Sequence, residues 1–351
     1  MNLLTKTIGW TLAGLGAWAA TKAYLAQKRK IDFRDKTIII TGGSRGLGLE
    51  MARLLALEGA NLALCARDQD ELDRAQSELS QYQVDVYTEV CDITNKTQIE
   101  RFVENVRQAL GPVDVLINNA GVIIVTPYEH ATETDFRQAM DTNFWAAFHM
   151  VNAVLPHMMA RPASEHTRGR IVNVASFGGK VAVPHLAPYS TSKFALVGYS
   201  EGLRAELLKD NIQVTTICPG LIRTGSPRNA IYKGQNEKEY TVFKIGDSLP
   251  FVTIDSTDCA REIIDACRYG EVERIITLPA KLGAALEGIA PSFIGETMAL
   301  VNRQLPGPGG IGEQRAFGRD SETPLSQSFI TQLTNEAAEQ NNELGRDASG
   351  L

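Results

Sequence analysis

Residues 36–57 constrain the fold more than any other part of the chain. Lys36–Thr41 is a short run rich in β-branched residues, which predicts a buried parallel strand. The run leads directly into a turn with glycines at positions 42, 43, 46 and 48, and an amphipathic helix follows the turn. A strand, a glycine-rich turn and a helix in this order predict a phosphate site at the helix N-terminus.

Each of three glycines in this turn has its own steric reason. Gly42 permits the tight turn, Gly46 lets the backbone approach a pyrophosphate, and Gly48 lets the helix pack closely on the strand. Without the flanking strand and helix, such a cluster would indicate only a turn. The predicted dinucleotide contacts in this segment are Gly42, Ser44, Arg45, Gly46, Leu47 and Gly48.

Strand-like apolar runs alternate with amphipathic helices over residues 31–279, which we expect to form one domain. This alternation predicts an α/β fold with a doubly wound, parallel, seven-stranded sheet and helices on both faces. Right-handed crossovers place the carboxyl ends of such strands at one edge, where ligands bind. Asp92 and Ile93 follow the third strand and are placed to touch an adenine.

The residue after the second strand indicates which dinucleotide binds. A carboxylate there would hold the ribose 2′-hydroxyl of NAD, but this chain has Arg67, which suits the 2′-phosphate of NADP. Arg45 adds a second positive charge nearby. We therefore expect NADP(H) to be preferred. NAD(H) stays possible if both arginines are merely solvated.

Ser176, Tyr189 and Lys193 form the candidate reaction centre. Tyr189 and Lys193 are four residues apart, so on a helix they share one face. An ammonium beside a phenol favours the phenolate, and we expect it to lower the pKa of Tyr189. Such a pair alone usually marks a solvated helix face. Here it follows Ser176, which ends a predicted strand at the ligand-binding edge.

Composition excludes some classes of function. A net charge of -6 gives no basic surface for nucleic acid. The five cysteines contain no C-x-x-C pair, which favours core packing over disulfide or metal binding. The five histidines show no metal-ligand spacing, so we predict no metal site.

Residues 1–30 are predicted to be a membrane anchor or an amphipathic surface helix. Ile8–Ala26 is apolar and near the ~20 residues that span a bilayer. A cleaved signal peptide and a helix packed on a partner subunit are the alternatives. The basic residues 28–30 would keep the main domain on the cytoplasmic side, so we expect a membrane-associated protein with a cytoplasmic catalytic domain.

Three segments complete the chain. Arg223–Phe251 has no clear period and predicts either a mobile lid over a substrate or a long surface loop. Residues 280–306 form an apolar series broken by Pro291, which predicts a helical extension for membrane contact or oligomer packing. Residues 307–351 are polar, and we expect a disordered tail.

Several motifs occur in an order that resembles the short-chain dehydrogenase/reductase family. They are T-G-G-S-R-G-L-G at 41–48, N-N-A-G at 118–121, Asn143, Ser176, Y-S-T-S-K at 189–193, and P-G at 219–220 with Thr224. The resemblance covers residues 35–278 and implies a Rossmann fold. It also implies a catalytic tetrad of Asn143, Ser176, Tyr189 and Lys193.

The resemblance implies further roles. Asn143 is expected to fix a water in a proton relay from Lys193, and Lys193 is expected to hold the nicotinamide ribose. Additional cofactor contacts are expected from Asn118, Ala120, Gly121, Tyr189, Pro219, Gly220, Ile222 and Thr224. The implied function is NADP(H)-dependent interconversion of an alcohol and a ketone or aldehyde. We expect a lipophilic small-molecule substrate and a homo-oligomer. The alternative is a non-catalytic, NADP-binding scaffold or sensor at a membrane.

Overall fold

The computed structural model describes residues 16–17, 19–162, 167–249, 252–328 and 331–344. The strands are β1 (Thr37–Thr41), β2 (Asn61–Ala66), β3 (Val86–Val90), β4 (Val113–Asn118), β5 (Ile124–Val125), β6 (Gly169–Val174), β7 (Ile212–Pro219), β8 (Ile222–Arg223), β9 (Ile231–Tyr232), β10 (Ile254–Asp255), β11 (Glu273–Ile276) and β12 (Ala316–Phe317). The α-helices are α1 (Gly46–Leu57), α2 (Gln69–Leu79), α3 (Lys96–Leu110), α4 (Glu133–Met140), α5 (Ala146–Met159), α6 (Ala187–Leu207), α7 (Ser226–Asn229), α8 (Asn236–Ser248), α9 (Ser256–Arg268), α10 (Leu278–Ile289), α11 (Pro291–Asn302) and α12 (Gln332–Gln340).

Seven parallel strands form the central sheet, in the order β11-β7-β6-β4-β1-β2-β3. This confirms the predicted doubly wound α/β fold. The chain starts in the middle of the sheet, winds outward to β3, and returns through β4 to the other half. The order therefore reverses between β1 and β4, and that is where an open α/β sheet forms its ligand crevice.

The core lies on both faces of the sheet because successive side chains of a strand point to opposite sides. In β1, Ile38 and Ile40 pack in one cluster with residues of α1 and α9, whereas Ile39 packs in another with residues of α3 and α5. All five residues of β1 are buried. A strand that is covered on both faces needs such a continuous apolar run, which is the pattern that the sequence carries.

The amino-terminal helix is only partly described. Residues 19–29 are helical, and most of their side chains are exposed. Residues 1–15 and 18, which include much of the predicted anchor, lie outside the described residues. Within the described part of the chain, no helix combines the length and the apolar character that crossing a bilayer requires.

The carboxyl-terminal segment differs from the disordered tail that its composition predicted. Among residues 307–328 and 331–344, β12 pairs antiparallel with β9, and α12 packs against α8. Arg315 and Glu322 form ion pairs with Asp135 and Arg228, respectively. Polar side chains in this segment gain partners on the body of the protein, and a composition rule based on apolar burial misses such contacts.

Asp135 links three parts of the chain. It is completely buried at the start of α4, where its carboxylate oxygens lie 2.7 Å from Nζ of Lys233 and 2.5 Å from the guanidinium of Arg315. Burial alone would raise the pKa of Asp135, but hydrogen bonds from Lys233, Thr132 and Arg315 outweigh it and lower that pKa. The stabilisation is therefore present above the ordinary carboxyl pKa and is lost as the pH falls through the lowered value.

We predict that Asp135→Asn lowers the free energy of unfolding at pH 7 by about 3 kcal/mol, because it leaves the buried Lys233 ammonium without its counter-charge. The matched control is Asp258→Asn, since Asp258 and its partner Arg261 are each 61% exposed and such pairs contribute about 0–1 kcal/mol. Urea unfolding at neutral pH measures both. Equal losses in the two variants would contradict the structural role of Asp135.

Candidate active site

The glycine-rich turn lies between β1 and α1, as the sequence predicted. Gly46 has φ +57°, a left-handed conformation that favours glycine. A Cβ at Gly48 would overlap the carbonyl oxygen of Gly42, so only glycine allows α1 to pack this closely. The Thr41 hydroxyl accepts hydrogen bonds from the backbone of Asn119 and Ala120, both at 3.0 Å, and so joins the ends of β1 and β4.

One large crevice collects most of the predicted site residues. The residues that line it include Gly42, Ser44, Arg45, Gly46, Leu47, Arg67, Asp92, Ile93, Ala120, Gly121, Ser176, Tyr189, Lys193, Pro219, Gly220, Ile222 and Thr224. Three predicted residues, Gly48, Asn118 and Asn143, do not line it. The glycine-rich turn after β1 and the residues Tyr189 and Lys193 of α6 therefore line the same crevice, although about 140 residues separate them in the sequence.

Asn118 lies away from the crevice that we expected it to line. It is buried, and its Nδ2 donates to Oδ1 of Asn173 on the neighbouring strand β6 at 2.9 Å. A small internal cavity, rather than the crevice, lies beside it. The adjacent Asn119 faces the crevice instead, because successive residues at a strand end point in opposite directions.

The two arginines expected to select the cofactor differ in their surroundings. Arg45 pairs with Glu71 of α2 at 2.5 Å, and Glu71 also accepts from the Ser44 hydroxyl at 2.9 Å. Arg67 is exposed at the end of β2 and makes no ion pair within the described residues. Arg67 is therefore the guanidinium that a bound anion can engage without displacing a carboxylate.

Ser176 and Tyr189 lie together at the end of β6 and the start of α6. The Ser176 hydroxyl oxygen accepts from the backbone N–H of Gly178 at 3.0 Å, which fixes its position. Tyr189 follows Pro188, whose fixed backbone suits the first turn of a helix. Burial raises the pKa of Tyr189 to about 12, while hydrogen bonding with Ser176 acts in the opposite direction.

The pKa of Tyr189 moves opposite to the direction that we expected from Lys193. The Lys193 ammonium donates to the carbonyl oxygen of Val174 at 2.9 Å and lies 5.7 Å from the centre of the Tyr189 ring. Its side chain is 4% exposed, and burial lowers the pKa of Lys193 to about 8. Desolvation thus dominates both groups, and it favours the neutral phenol and the neutral amine.

Asn143 lies in a π-helical turn, Asp141–Trp145, between α4 and α5. Its side chain accepts from the N–H of Val122 at 2.8 Å and donates to the carbonyl oxygen of Val122 at 3.0 Å. It also donates to the Ser192 hydroxyl, 2.8 Å away, which in turn donates to the Tyr189 carbonyl oxygen. Asn143 therefore holds the segment after β4 against the start of α6. A π-turn also leaves backbone carbonyls free of their usual helical partners.

The sequence did not single out three further residues that line the crevice. His185 and Glu239 lie 2.8 Å apart on the side of the crevice formed by α8. Glu343 reaches the glycine-rich turn from the carboxyl-terminal segment. His185 lies between Ser176 and Tyr189, but the histidines were set aside because they show no metal-ligand spacing. Glu239 is distant from the reaction centre along the chain, and Glu343 lies in a polar segment, so no motif indicated them.

Comparisons with known proteins agree with this architecture. A family model described as short chain dehydrogenase matches residues 36–233. A gluconate 5-dehydrogenase of Gluconobacter oxydans is 31% identical over 266 residues, which cover 75% of this chain and 92% of that protein. A dehydrogenase/reductase SDR family protein 7-like of Anopheles gambiae is 36% identical over 211 residues, 58% of this chain and 65% of that protein.

Among solved structures, a variant of an actinorhodin polyketide ketoreductase with NADPH is 28% identical, with a TM-score of 0.61. The likeness covers 69% of this chain and 95% of that one.

We predict that Lys193→Met raises the free energy of unfolding of the cofactor-free protein at pH 7 by about 1–3 kcal/mol, although it removes a site residue. The buried ammonium has a depressed pKa, so its burial opposes folding while it is charged, and this penalty fades as the pH rises above about 8. Chemical denaturation at pH 7 and pH 9.5 measures the effect, which should be smaller at the higher pH. A destabilised variant at pH 7 would contradict this account.

Proposed function

This chain belongs to the short-chain dehydrogenase/reductase family, and we propose that it is an NADP(H)-dependent oxidoreductase that interconverts a lipophilic alcohol and its ketone or aldehyde. Family membership makes it an oxidoreductase acting on CH–OH and carbonyl groups. The observation that carries the proposal is the meeting of Ser176 and Tyr189 with the glycine-rich turn in one crevice. Reduction of a carbonyl needs a proton at the substrate oxygen and a hydride at the substrate carbon. The hydroxyls of Ser176 and Tyr189 must therefore lie next to the bound dinucleotide.

The residues of the crevice fit a dinucleotide. Gly46 has no Cβ to block close approach of a pyrophosphate, and α1 begins at this residue with its positive end facing the crevice. Thr224 and Gly220 line the same crevice as Tyr189 and Lys193, and we propose that these four residues surround the nicotinamide end. When bound, the cofactor supplies or accepts a hydride at the substrate carbon.

The side chains supply positioning and proton transfer. In this proposal Ser176 donates a hydrogen bond to the substrate oxygen and polarises it, and the neutral Tyr189 phenol gives that oxygen its proton during reduction. Lys193 holds the nicotinamide ribose and returns a proton to Tyr189. Its pKa of about 8 suits a group that exchanges protons near neutral pH. Asn143 keeps the start of α6 in place and fixes a water for the relay.

NADP(H) is proposed as the preferred cofactor because of the charges around its adenosine end. Arg67 is exposed and faces the crevice, so it can bind a 2′-phosphate directly. Arg45 already pairs with Glu71, which reduces its contribution. The proposed preference for NADP(H) therefore rests mainly on Arg67, which makes no ion pair within the described residues.

The substrate and the setting of the enzyme are inferred from apolar surface. Along α10 and α11, Leu282, Ile289 and Phe293 are 56%, 82% and 60% exposed. Val301 and Leu305 at the end of this region also line the crevice. Apolar surface that continues from the outside into the site favours a lipophilic substrate and contact with a membrane surface or a second copy of the chain. We propose membrane association and a cytoplasmic catalytic domain on this basis together with residues 1–30.

The alternative is a scaffold or sensor that binds NADP without turnover. A pure binder needs the glycine-rich turn and Arg67 but not Ser176 beside Tyr189. The ordered hydroxyl of Ser176, held by Gly178, therefore favours the enzyme. Turnover with a panel of apolar ketones and aldehydes distinguishes the two proposals.

We predict that Tyr189→Phe lowers kcat at least about 10²-fold, because it removes the general acid. Tyr199→Phe is the matched control: Tyr199 lies on the same helix, its pKa is likewise raised to about 12 by burial, and it packs against Phe144 and Phe148 away from the crevice. The measurement is cofactor oxidation with the best carbonyl substrate of the panel. Similar turnover in Tyr189→Phe and the wild-type protein would rule out the assignment.

We predict that Arg67→Ala weakens NADPH binding about 10–100-fold and leaves NADH binding nearly unchanged, because a charge-assisted hydrogen bond to the 2′-phosphate is lost. Arg107→Ala serves as the control, since Arg107 lies on α3 and pairs with Glu104. Titration calorimetry with both nucleotides gives the two dissociation constants. Equal weakening of NADPH and NADH would contradict a 2′-phosphate role for Arg67.

A further inference from the structure

The carboxyl-terminal segment ends on the glycine-rich turn. Helix α12 is anchored on α8, where the hydroxyls of Thr334 and Ser248 lie 2.5 Å apart. Ala338 is completely buried and packs closely on Gly225. A Cβ added to Gly225 would lie 2.8 Å from the Cβ of Ala338. The three residues after α12 thereby reach the glycine-rich turn, and Glu343 lines the crevice.

These residues use the backbone groups around the phosphate site. The N–H of Gly46 donates to the carbonyl oxygen of Asn341 at 2.9 Å. The Asn342 side chain donates to the carbonyl oxygen of Ser44 at 2.8 Å, and its oxygen accepts from Arg74 at 2.6 Å. A donor at the start of α1 is therefore occupied by the chain itself.

Glu343 brings a carboxyl group into the space that Gly46 leaves free. Its Oε1 lies 3.2 Å from the position of a Cβ on Gly46, and its Oε2 accepts from the backbone N–H of Gly225. The carboxyl group thus lies between the N-terminus of α1 and a backbone N–H, and a phosphate of a dinucleotide would bind at the same position. The carboxyl group thus takes the place of a cofactor phosphate.

We propose that residues 337–343 are an intramolecular competitor of the dinucleotide, and that the cofactor binds only after Glu343 withdraws from the glycine-rich turn. This inference rests on the proposed function, because it assumes that the crevice binds a dinucleotide. The segment and a pyrophosphate cannot share this site, because the Asn341 carbonyl oxygen occupies the N–H of Gly46 and the Glu343 carboxyl group fills the space beside Gly46. The segment therefore weakens the binding of the cofactor while it is docked.

The burial of Glu343 makes this competition dependent on pH. Burial raises the pKa of Glu343 to about 7, whereas the N–H of Gly225 acts in the opposite direction. Among the described residues, the charged groups that act on it are Arg45, Glu71 and Arg228. Asp247 also faces it, and burial raises the pKa of Asp247 well above its ordinary value. Because the pKa is raised in the docked state, protonation favours docking, and docking weakens as the pH rises from the ordinary carboxyl value towards 7.

The test compares NADPH affinity in three full-length proteins by nicotinamide fluorescence. Glu343→Ala should bind NADPH about 5–30-fold more tightly than wild type at pH 6, with a smaller gain at pH 8. Glu339→Ala is the matched control, because Glu339 is an exposed residue of α12 outside the crevice, and it should match wild type. Unchanged or weaker binding in Glu343→Ala, with wild type binding NADPH, would overturn the competition while leaving the proposed function intact.

Hydrogen exchange supplies an independent readout in the wild-type protein. Saturating NADPH should increase amide exchange in residues 332–343, because the segment is released as the cofactor binds. Increased protection of these residues would show that the segment closes over the cofactor, and would overturn competition. If NADPH binds neither wild type nor the two variants, the proposed function fails first, and the competition fails with it.

Discussion

The rest of the site depends on the contact between the buried Lys193 of α6 and the end of β6. Its Nζ donates to the Val174 carbonyl oxygen, and a Cβ on Gly121 would lie 3.5 Å from that Nζ and 2.9 Å from Oδ1 of Asn143. The amine thus lies where the segment after β4, the end of β6 and the start of α6 meet. An amine that forms no ion pair with any residue that the structure describes opposes folding in such a place, so its presence there points to function.

Much of this arrangement could be predicted because it follows from local patterns. The β-branched run before the glycines predicts β1, and its continuation by α1 predicts the phosphate cradle. The spacing of Tyr189 and Lys193 predicts a shared helix face, but spacing carries no information about burial, which is why the expected pKa direction of Tyr189 was wrong. The π-turn at Asn143 was also missed, since the apolar pattern of the residues around it gives no sign of one inserted residue.

The carboxyl-terminal region shows where composition fails. Its contacts are polar and distant in sequence, as with Asn341, which accepts from Arg53 and donates to Ser256. A rule that counts apolar residues predicts that such a segment cannot fold by itself. In this protein the segment is ordered because it packs on a surface formed by α1, α7 and α8. The same surface carries the backbone donors of the proposed dinucleotide site, so in this account residues 337–343 and the cofactor compete for one set of groups.

A crystal structure of the full-length protein with NADPH tests the central claim most directly, because it shows where the nicotinamide lies without requiring a known substrate. The account predicts the nicotinamide ring beside Tyr189 and Ser176, with room for a substrate carbon about 3–3.5 Å from the reacting atom of the cofactor. It also predicts the 2′-phosphate at Arg67 and Glu343 away from Gly46. A nucleotide bound outside this crevice, or bound with its nicotinamide far from Tyr189, would contradict the account.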